Sequence, residues 1–456
     1  MAQVHGLAYL QQRKLATLLG FPHSSLRRLY QGSVDGFTAS AFHAKCNGQG
    51  PTVTVAYNSK GFIFGGYCSQ SLTSRGSYID DKLACLFRLE EPDNSATFVA
   101  KIKSSSSAFY DASSYGPTFG GGHDMHFLPT DGSSKLTFTA NIGSSYDATN
   151  ENIFGTDKTL QELEVYILEE MKLLPDPWRS VEWTIETREH LLKDIRGYVP
   201  VDCETHPRIL LLGHVGSGKS SFVNSIDAVF SGHVSSRAIA GTREKESSFT
   251  TVFRSYKLRK KSGRKFFPIH LCDTMGIDKD LGDGINPEDI VSVLQGNVPN
   301  SYQFNPLAPI NPSHPAYVKD PALSARTHCL VLVVDACKMS PMPEGLLGKL
   351  QDARNKAHNL GVPHVVLLTK VDEACPLVES DVNNIYLSWF IKEKVYEIAT
   401  RLGIPVSSVL PVKNYAVQVQ PDASSDLLLI MALHQMLRFA DDYLLDQVLS
   451  DSNETE

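Results

Sequence analysis

The fold is decided by the stretch Arg208–Ser225, which reads RILLLGHVGSGKSSFVNS. It opens with a short apolar run, Ile209 to Leu212, that predicts a buried strand. Gly213 to Ser220 then match the pattern G-x-x-x-x-G-K-[ST], and Ser221 to Ile226 continue with helical spacing. A strand, a glycine-rich turn and a helix in this order form the context that a phosphate-binding loop requires. Because the fixed positions and both flanks agree, the pattern argues against an ordinary glycine-rich turn.

The residue types of this loop suit phosphate chemistry. Glycines let backbone N–H groups turn inward around phosphate oxygens, and the helix that begins there directs its positive end at them. Lys219 can reach the β- and γ-phosphates, and the Ser220 hydroxyl can ligate Mg²⁺. The loop alone selects neither the nucleotide nor a reaction. The predicted nucleotide-binding residues here are Gly213, His214, Val215, Gly216, Ser217, Gly218, Lys219, Ser220 and Ser221.

Two later motifs complete a predicted nucleotide site. Leu271–Gly276 (LCDTMG) follows an apolar strand and supplies Asp273 as the second Mg²⁺ carboxylate, with the Gly276 N–H placed to sense the γ-phosphate. Val366–Asp372 ends in TKVD and resembles the [NT]-K-x-D motif of GTPases. The Asp372 carboxylate can accept hydrogen bonds from guanine N1 and N2, a donor pair that adenine lacks, so GTP is favoured over ATP. The other predicted base contacts are Thr369, Lys370, Lys413 and Asn414.

The residues expected near the γ-phosphate favour slow chemistry. Ile277 stands where a fast GTPase carries a glutamine that orients water, and Val215 stands where many hydrolases carry glycine. Slow, assembly-dependent or absent hydrolysis is therefore expected. Thr369, in place of the commoner asparagine, predicts weaker bracing of the base loop. Either of two threonines before the next strand can serve as the switch residue, so the predicted Mg²⁺ ligands are Ser220, Thr250, Thr251 and Asp273.

The composition of the chain limits the classes of protein to which it can belong. The 456 residues allow two or three domains, and 42% hydrophobic with 20% charged residues describe an ordinary globular protein. A net charge of −7 gives no attraction to DNA or to an anionic membrane. The 8 scattered cysteines predict reduced thiols, and the sequence offers neither a signal-peptide pattern nor a membrane-spanning run. We therefore expect a cytoplasmic protein without a transmembrane segment and without DNA as a partner.

The chain before the loop combines helical and strand patterns. Leu7–Leu19 and Phe42–Cys46 have helical spacing, and Leu26–Tyr30 predicts a further helical turn. Thr52–Tyr57 and Phe62–Tyr67 flank a turn and predict a β-hairpin. Many short strands after an initial helical part predict an α+β domain, a β-sandwich with flanking helices. The further strands are predicted at Lys82–Leu89, Thr97–Ile102, Met125–Leu128, Leu136–Ala140 and Glu162–Leu168.

His123 and His126 raise the question of a metal site in this half of the chain. On a strand, two histidines three positions apart face opposite sides of the sheet. The sequence also has neither a C-x-x-C pair nor paired histidines at zinc spacing. A structural role is therefore favoured over a metal site.

From Arg208 onward, strand and helix patterns alternate, which predicts an α/β doubly wound parallel sheet. The basic run Lys257–Lys265 (KLRKKSGRK) predicts an exposed hairpin tip. Leu427–Leu445 predicts a final helix. The predicted strands are Val252–Leu258, Phe267–Cys272, Cys329–Val334, His364–Leu368 and Val406–Val412, with helices that include Leu346–Asn359 and Ile385–Leu402.

A stretch of different character separates the two halves. Pro175 and Pro200 bound it, and Trp178–Tyr198 has the apolar spacing of a linker helix. The predicted organisation is therefore an N-terminal domain over 1–172, a linker helix over 173–203, a GTPase-like domain over 204–446 and a polar tail over 447–456, of which Asp451 to Glu456 are expected to be frayed.

Residues 5–170 resemble the TLDc domain. The resemblance is carried by Asp35–Cys46 (DGFTASAFHAKC), Gly61–Tyr67 (GFIFGGY), Tyr115–Gly120 (YGPTFG) and Glu162–Tyr166 (ELEVY). It implies a sandwich of two antiparallel sheets and no established catalytic residues. It also implies the vacuolar proton pump as a candidate partner, because several members bind that pump.

A TLDc domain followed by a linker helix and a GTPase-like domain resembles the interferon-induced protein 44 family over nearly the whole chain. Supporting stretches include Val215–Phe222, Leu271–Gly276, Tyr302–Asn305 and Leu367–Asp372. The resemblance implies a cytoplasmic protein of the interferon response, with antiviral or immune-modulating roles and with protein partners that include copies of itself.

Two functions stay open at this point. The first is a GTP-dependent switch or slow GTPase that uses GTP or GDP and Mg²⁺. The second is a non-catalytic interaction scaffold that acts through the TLDc domain and has a degenerate or structural nucleotide pocket.

Overall fold

A computed structural model describes residues 6–92, 96–128, 136–201, 205–234, 237–238, 251–260, 265–278, 284–339 and 342–453. The chain divides into two compact units, Met1–Met171 and Lys172–Glu456. The stretch expected to stand between two domains falls within the second unit.

The first unit is built on two antiparallel sheets with short helices. Its helices are α1 (Tyr9–Leu18), α2 (Gly32–Asp35), α3 (Ala39–Cys46) and α4 (Asn150–Ile153). Its strands are β1 (Ser24–Gln31), β2 (Thr52–Asn58), β3 (Ile63–Cys68), β4 (Ser77–Ile79), β5 (Cys85–Glu90), β6 (Phe98–Lys101), β7 (Phe109–Asp111), β8 (Thr118–Phe119), β9 (Met125–His126), β10 (Thr139–Ala140) and β11 (Leu160–Glu170). The strand orders are β1-β11-β2-β3-β5-β6 and β10-β9-β8-β7-β4.

The larger sheet is covered on both faces. On one face, Phe64 packs in a common core with Phe119 and Met125 of the smaller sheet. A Cβ atom added at Gly66 would lie 2.5 Å from the Phe119 ring, so only glycine lets the ring approach this strand. On the other face, Leu15 of α1 joins a second buried cluster. Because both faces are covered, every residue of β2 and β3 is buried, including the polar Thr52, Thr54 and Asn58 of β2.

The hairpin prediction is confirmed, whereas the helical turn predicted at Leu26–Tyr30 is wrong. Those residues lie in β1, which pairs antiparallel with β11. Their apolar spacing fits a helix locally, but β11 is 11 residues long and its edge offers a full ladder of backbone hydrogen bonds. Arg28 also bonds the buried Glu164 across this pair at 2.8 Å. Tertiary pairing therefore overrides the local pattern.

The second unit is an α/β structure. Its helices are α5 (Ile185–Arg196), α6 (Lys219–Ser231), α7 (Pro287–Gln295), α8 (Glu344–Asn359), α9 (Val371–Ala374), α10 (Pro376–Ser380), α11 (Trp389–Leu402) and α12 (Ala423–Asn453). Its strands are β12 (Arg208–Gly213), β13 (Arg254–Arg259), β14 (Phe266–Asp273), β15 (Cys329–Asp335), β16 (His364–Thr369) and β17 (Val409–Pro411). The strand order is β13-β14-β12-β15-β16-β17. Helices α5, α6 and α12 cover one face, and α7, α8 and α11 cover the other.

The predicted parallel sheet is correct for the strands from β14 to β17 and wrong for β13. Strand β13 runs antiparallel to β14, and the Lys260 N–H donates to the Lys265 carbonyl at 2.8 Å. The few residues between these strands are too short for a parallel crossover, so a hairpin is the available connection. The described ends of the basic run lie on these two paired segments, and the predicted tip, residues 261–264, lies outside the described residues.

The linker region is only partly helical, which corrects the helix predicted from Trp178. Helix α5 begins at Ile185 because the Thr184 side chain caps it, accepting from the Thr187 N–H at 3.0 Å. The preceding residues run along the second unit instead. The Trp178 N–H donates to the Tyr386 carbonyl at 3.0 Å, and the two rings meet edge to face at 5.1 Å.

The final helix is longer than predicted. Helix α12 runs from Ala423 to Asn453, so most of the predicted polar tail, residues 447–456, is helical. Leu192 and Ile195 of α5 are buried, and α5 packs along α12. Within the described ranges, none of the helices combines the length and the apolar character needed to cross a bilayer.

A buried carboxyl in α7 makes stability depend on pH. Asp289 Oδ1 accepts from the Ile310 N–H at 2.8 Å, and Oδ2 has no hydrogen-bond partner among the residues described. Burial raises the pKa of Asp289 from 3.8 to about 6. The neutral carboxyl therefore contributes stability that is fully present below the unfolded pKa and is lost as the pH rises through about 6.

We expect Asp289→Asn to be as stable as the wild type near pH 4 and more stable by up to about 2 kcal/mol above pH 6.5. The amide keeps the shape and carries no charge at any pH. Thermal denaturation between pH 4 and pH 8 measures the difference. A difference that stays constant over this range would contradict the titration of Asp289.

Candidate nucleotide-binding site

The glycine-rich loop sits at the carboxyl end of β12 and leads directly into α6. A Cβ at Gly213 would lie 2.1 Å from the Val333 carbonyl oxygen, so the loop passes too close to β15 for any side chain there. Gly216 and Gly218 have φ of 76° and 95°, a left-handed backbone that glycine adopts without strain. Gly218 is the N-cap of α6 and Lys219 its first residue. The loop is thereby shaped around the helix N-terminus.

Lys219 is held inside this loop. Its side chain is buried, and its Nζ donates to the carbonyl oxygens of Gly213 at 3.0 Å and His214 at 3.1 Å. Burial lowers the pKa of Lys219 to about 8, and nearby Asp273 opposes that shift. A buried ammonium group whose hydrogen-bond partners, among the residues that the structure describes, are carbonyl oxygens is a strong electrostatic site for an anion such as phosphate.

Ser220 and Asp273 form the hydroxyl–carboxylate pair that the motifs predict. The Ser220 hydroxyl donates to Asp273 Oδ2 at 2.6 Å. Burial raises the pKa of Asp273, whereas Lys219 opposes the shift. Because Mg²⁺ prefers oxygen ligands and binds through one or two carboxylates beside phosphate, this pair fits a Mg²⁺ site.

Several buried polar atoms around the loop have no hydrogen-bond partner in the part of the chain that the structure describes. They are His214 Nε2, Ser217 Oγ, Asp273 Oδ1 and Asn414 Oδ1. Unsatisfied buried polar atoms are rare in folded proteins and often mark a ligand site. His214 Nδ1 donates to the Val215 carbonyl at 2.8 Å, and burial lowers the pKa of His214 to about 4, so its ring is neutral at pH 7. The residues therefore fit a polar, charged ligand that supplies the missing partners.

The TKVD segment is joined to the glycine-rich loop. The Thr369 hydroxyl donates to the Ser217 carbonyl at 2.6 Å. Asn414 Nδ2 donates to the Gly218 carbonyl at 3.2 Å, from the loop after β17. The weaker bracing expected from threonine is thus offset by a short hydrogen bond and by a second brace from Asn414.

Lys370 and Asp372 follow Thr369 in the motif that predicts the base site. Lys370 has a left-handed φ of 56° and forms an ion pair with Asp335 at 2.7 Å. Asp335 was not predicted from the sequence. A signal that could have identified it is its position as an acidic residue at the end of a buried strand, at the sheet edge where the loops meet. Burial raises the pKa of the half-buried Asp372, and the positive charge of Lys413 opposes that shift, which places Lys413 nearby.

The LCDTMG segment also lies on the glycine-rich loop. The Ile277 N–H donates to the Gly213 carbonyl at 3.0 Å, and the Val215 N–H donates to the Ile277 carbonyl at 3.3 Å. A Cβ at Gly276 would lie 2.8 Å from Val215 Cγ2 and 3.0 Å from its Cα. The predicted phosphate loop and the predicted γ-phosphate sensor are therefore paired through their backbones.

We expect Gly276→Ala to separate these two loops and to destabilise the protein by about 1–3 kcal/mol, because the added methyl group collides with the Val215 backbone. Thermal denaturation measures the loss. The control is Gly345→Ala, whose new methyl group meets open space on α8 and which should stabilise the protein by up to about 1 kcal/mol. Equal effects of the two substitutions would contradict the close approach of the loops.

One predicted loop position, Ser221, and two predicted metal ligands, Thr250 and Thr251, complete the set of predicted site residues. Ser221 lies in the first turn of α6, where its carbonyl accepts from the Ser225 hydroxyl at 2.7 Å. Thr251 is fixed through its backbone, since its carbonyl accepts from the Phe304 N–H at 2.9 Å. Thr250 lies outside the described residues. The assignment of the switch threonine therefore stays a prediction.

The histidines of the first unit are closer together than expected. His123 precedes β9 and has a left-handed φ of 63°, so the alternation of a strand does not apply to it. Its ring lies 5.5 Å from that of His126, centroid to centroid, which overturns the prediction that the two face opposite sides. No group of three or more metal-binding side chains occurs within the described ranges.

The second unit thus has the architecture of a P-loop domain, and comparisons with known proteins place the chain in a family. A family model described as the TLDc domain matches residues 7–169. Human interferon-induced protein 44-like is 32% identical over 99% of this chain and 97% of its own length. Human interferon-induced protein 44 is 32% identical over 98% of this chain and 95% of its own length. The chain belongs to the interferon-induced protein 44 family, which confirms the resemblance seen in the sequence.

One solved structure illustrates how distant the structural relatives are. Toc33 from Arabidopsis thaliana, in complex with GDP and Mg²⁺, aligns with 57% of this chain and 96% of its own, at a TM-score of 0.29 and 14% identity. Similarity at this level says nothing about the ligand of the present protein.

Proposed function

We propose that the second unit binds guanine nucleotide with Mg²⁺ and acts as a nucleotide-dependent switch or slow GTPase. The observation that carries this proposal is the buried Lys219 beside the Ser220–Asp273 pair, beneath a glycine turn whose carbonyls are bonded by the base motif. Three predicted segments that are far apart in sequence, represented by Ile277, Thr369 and Asn414, contact the glycine-rich loop. Such convergence is expected of a ligand site and is not needed for the fold.

In this proposal, different residues bind the phosphates, the base and the Mg²⁺ ion. Lys219 and the N-terminus of α6 would hold the phosphates, and the Asp372 carboxylate would accept from the guanine edge. Ser220 and Asp273 would hold Mg²⁺, with Thr250 or Thr251 as a further ligand. When bound, Mg²⁺ supplies positive charge to the β- and γ-phosphate oxygens. The left-handed backbone at Lys370, fixed by Asp335, turns the chain between Thr369 and Asp372.

Slow hydrolysis is favoured by the residues beside the predicted γ-phosphate position. Ile277 is 2% exposed and offers no hydrogen-bonding side chain to orient water. The Val215 side chain packs against Gly276. Neither group can act as a general base.

An interaction scaffold is the second candidate, and one observation favours it. The Val215 N–H, one of the predicted phosphate-loop donors, is already bonded to the Ile277 carbonyl. A pocket closed in this way suits a structural role, with the TLDc domain providing the contacts. Under either function, family membership supports a role in the interferon response, with cytoplasmic location, innate-immune or antiviral action, self-assembly and vacuolar proton pump contact as further parts of the proposal.

The test is a titration of the full chain with a fluorescent GTP analogue in the presence of Mg²⁺, competed with GTP, GDP or ATP. Displacement by GTP and GDP but not by ATP would support a guanine site, and phosphate release then measures turnover. Displacement by ATP alone would contradict the assignment of Asp372. No binding by folded protein would leave the scaffold as the function.

A further inference from the structure

The loop that carries Asn414 continues into a residue that connects two helices, α6 and α12. Tyr415 follows Asn414 and is buried. Its N–H donates to the Ser225 hydroxyl of α6 at 2.8 Å. Its own hydroxyl donates to Asp426 Oδ1 at 2.8 Å and accepts from the Asp422 N–H at 2.9 Å. The position of Asn414 on the glycine-rich loop thus depends on the start of α12.

Asp426 is a buried carboxylate with a partner on another helix. Only 2% of Asp426 is exposed. Its Oδ2 accepts from Arg188 Nε at 3.1 Å and from Arg188 Nη2 at 2.5 Å. Arg188 lies in α5, the helix of the linker region, 238 residues away in sequence. A buried carboxylate requires such a partner, because removal of one member leaves an uncompensated charge that is strongly destabilising.

A path of hydrogen bonds, joined by the peptide bond between Asn414 and Tyr415, therefore runs from the linker region to the predicted nucleotide site. It passes from Arg188 to Asp426, then to Tyr415, and through the adjacent Asn414 to the Gly218 carbonyl. Elsewhere, α5 is attached to α12 by the buried Leu192 and Ile195 and by a hydrogen bond from Tyr198 to Asp441. Those contacts pack α5 against α12 and do not involve the loop of residues 412–416.

We propose that Arg188 is a positioning residue for the loop of residues 412–416, which carries Asn414. The docking of α5 onto α12 then sets the affinity for guanine nucleotide. If Arg188 withdraws, the Asp426 carboxylate loses its charged partner and must be rehydrated, which displaces Tyr415 and with it Asn414. By linkage, bound nucleotide stabilises the docked α5 by the same free energy. A partner that pulls on the linker would then release nucleotide. This regulation rests on the proposed guanine site.

The experiment compares wild type, Arg188→Ala, Arg188→Lys and the double variant Arg188→Ala/Asp426→Asn. Arg196→Ala is the control, because Arg196 lies on the same helix and is exposed. Amide hydrogen exchange over residues 412–416 is measured without nucleotide. The dissociation rate of a fluorescent GDP analogue is measured in parallel. Exchange over residues 185–197 is then compared with and without GDP.

We expect Arg188→Ala to speed both loop exchange and GDP dissociation by about tenfold or more, equivalent to about 1.4 kcal/mol. The double variant should recover most of this change, because it removes the uncompensated charge while Tyr415 keeps an acceptor. Arg188→Lys should be intermediate, and Arg196→Ala should match wild type. GDP should slow exchange in α5 of the wild type.

Unchanged loop exchange in a folded Arg188→Ala variant would overturn the proposal. So would a loss of thermal stability with no change in GDP dissociation, since that is the result of a purely structural ion pair. If the wild type binds no GDP, the proposed function fails. In that case, amide hydrogen exchange over residues 412–416 still decides whether Arg188 positions the loop.

Discussion

Lys219→Ala is expected to weaken the binding of GTP and GDP by about 100-fold or more, equivalent to about 3 kcal/mol, while leaving the fold intact. The loss follows because the ammonium group is the buried positive charge in the glycine-rich loop. The fold survives because both carbonyls that accept from Lys219 keep a second donor. Gly213 accepts from the Ile277 N–H at 3.0 Å, and His214 accepts from the Ser217 N–H at 3.1 Å.

The substitution therefore separates binding from stability. In the absence of nucleotide, we expect the unfolding free energy of Lys219→Ala to lie within about 1 kcal/mol of the wild type, since the desolvated ammonium is removed along with its contacts. The increase of Tm on addition of GDP and Mg²⁺ should disappear. Lys257→Ala, at an exposed position on β13, is the control and should retain the increase. A Lys219→Ala variant that binds GDP as tightly as the wild type would place the phosphate site elsewhere.

Asp372→Asn is expected to change the preferred base from guanine to xanthine. The carboxylate can accept two hydrogen bonds from guanine N1 and N2, whereas an amide donates on one side and opposes the N2 donor. Xanthine carries a carbonyl at that ring position and can accept from the amide. We expect GDP affinity to fall by about 100-fold and xanthosine diphosphate affinity to rise by a comparable factor, because a mismatched buried donor costs about 1–3 kcal/mol.

Competition of a fluorescent nucleotide by GDP, xanthosine diphosphate and ADP measures this change in base specificity. The fold should tolerate the substitution, because burial already raises the pKa of Asp372 and so disfavours its charge. Glu373→Gln, at the adjacent exposed position, is the matched control and should leave base preference unchanged. Equal loss of all three nucleotides in Asp372→Asn would show that Asp372 supports the loop instead of reading the base.

The sequence was informative where a function depends on consecutive residues. The glycine-rich loop, the LCDTMG segment and the TKVD segment each follow a strand, and the structure brings all three to one edge of one sheet. A strand followed by a glycine turn and a helix is a local geometry, so its residues can be recognised without knowledge of the rest of the chain. Parallel strands then gather their carboxyl ends at the same edge, which is why separate motifs meet.

The sequence was misleading where an element depends on a distant partner. Leu26, Leu29 and Tyr30 have helical spacing, yet they form a strand because β11 supplies a longer ladder of hydrogen bonds than one helical turn can. Trp178 has the spacing of a linker helix, yet it lies outside the helix, where its N–H bonds the Tyr386 carbonyl and its ring packs on Tyr386. In each case the competing partner lies more than a hundred residues away, and local periodicity does not register it.

By itself the sequence determined the family and the two-part α+β and α/β organisation, and it supplied the residue types of the predicted nucleotide site, because these follow from local pattern and from motif order. Only the tertiary structure decided that residues 173–201 belong to the second unit and that Arg188, Asp426 and Tyr415 form one buried network. Pairing between side chains that are 238 residues apart depends on the packing of α5 against α12, and no spacing rule in the sequence encodes that contact.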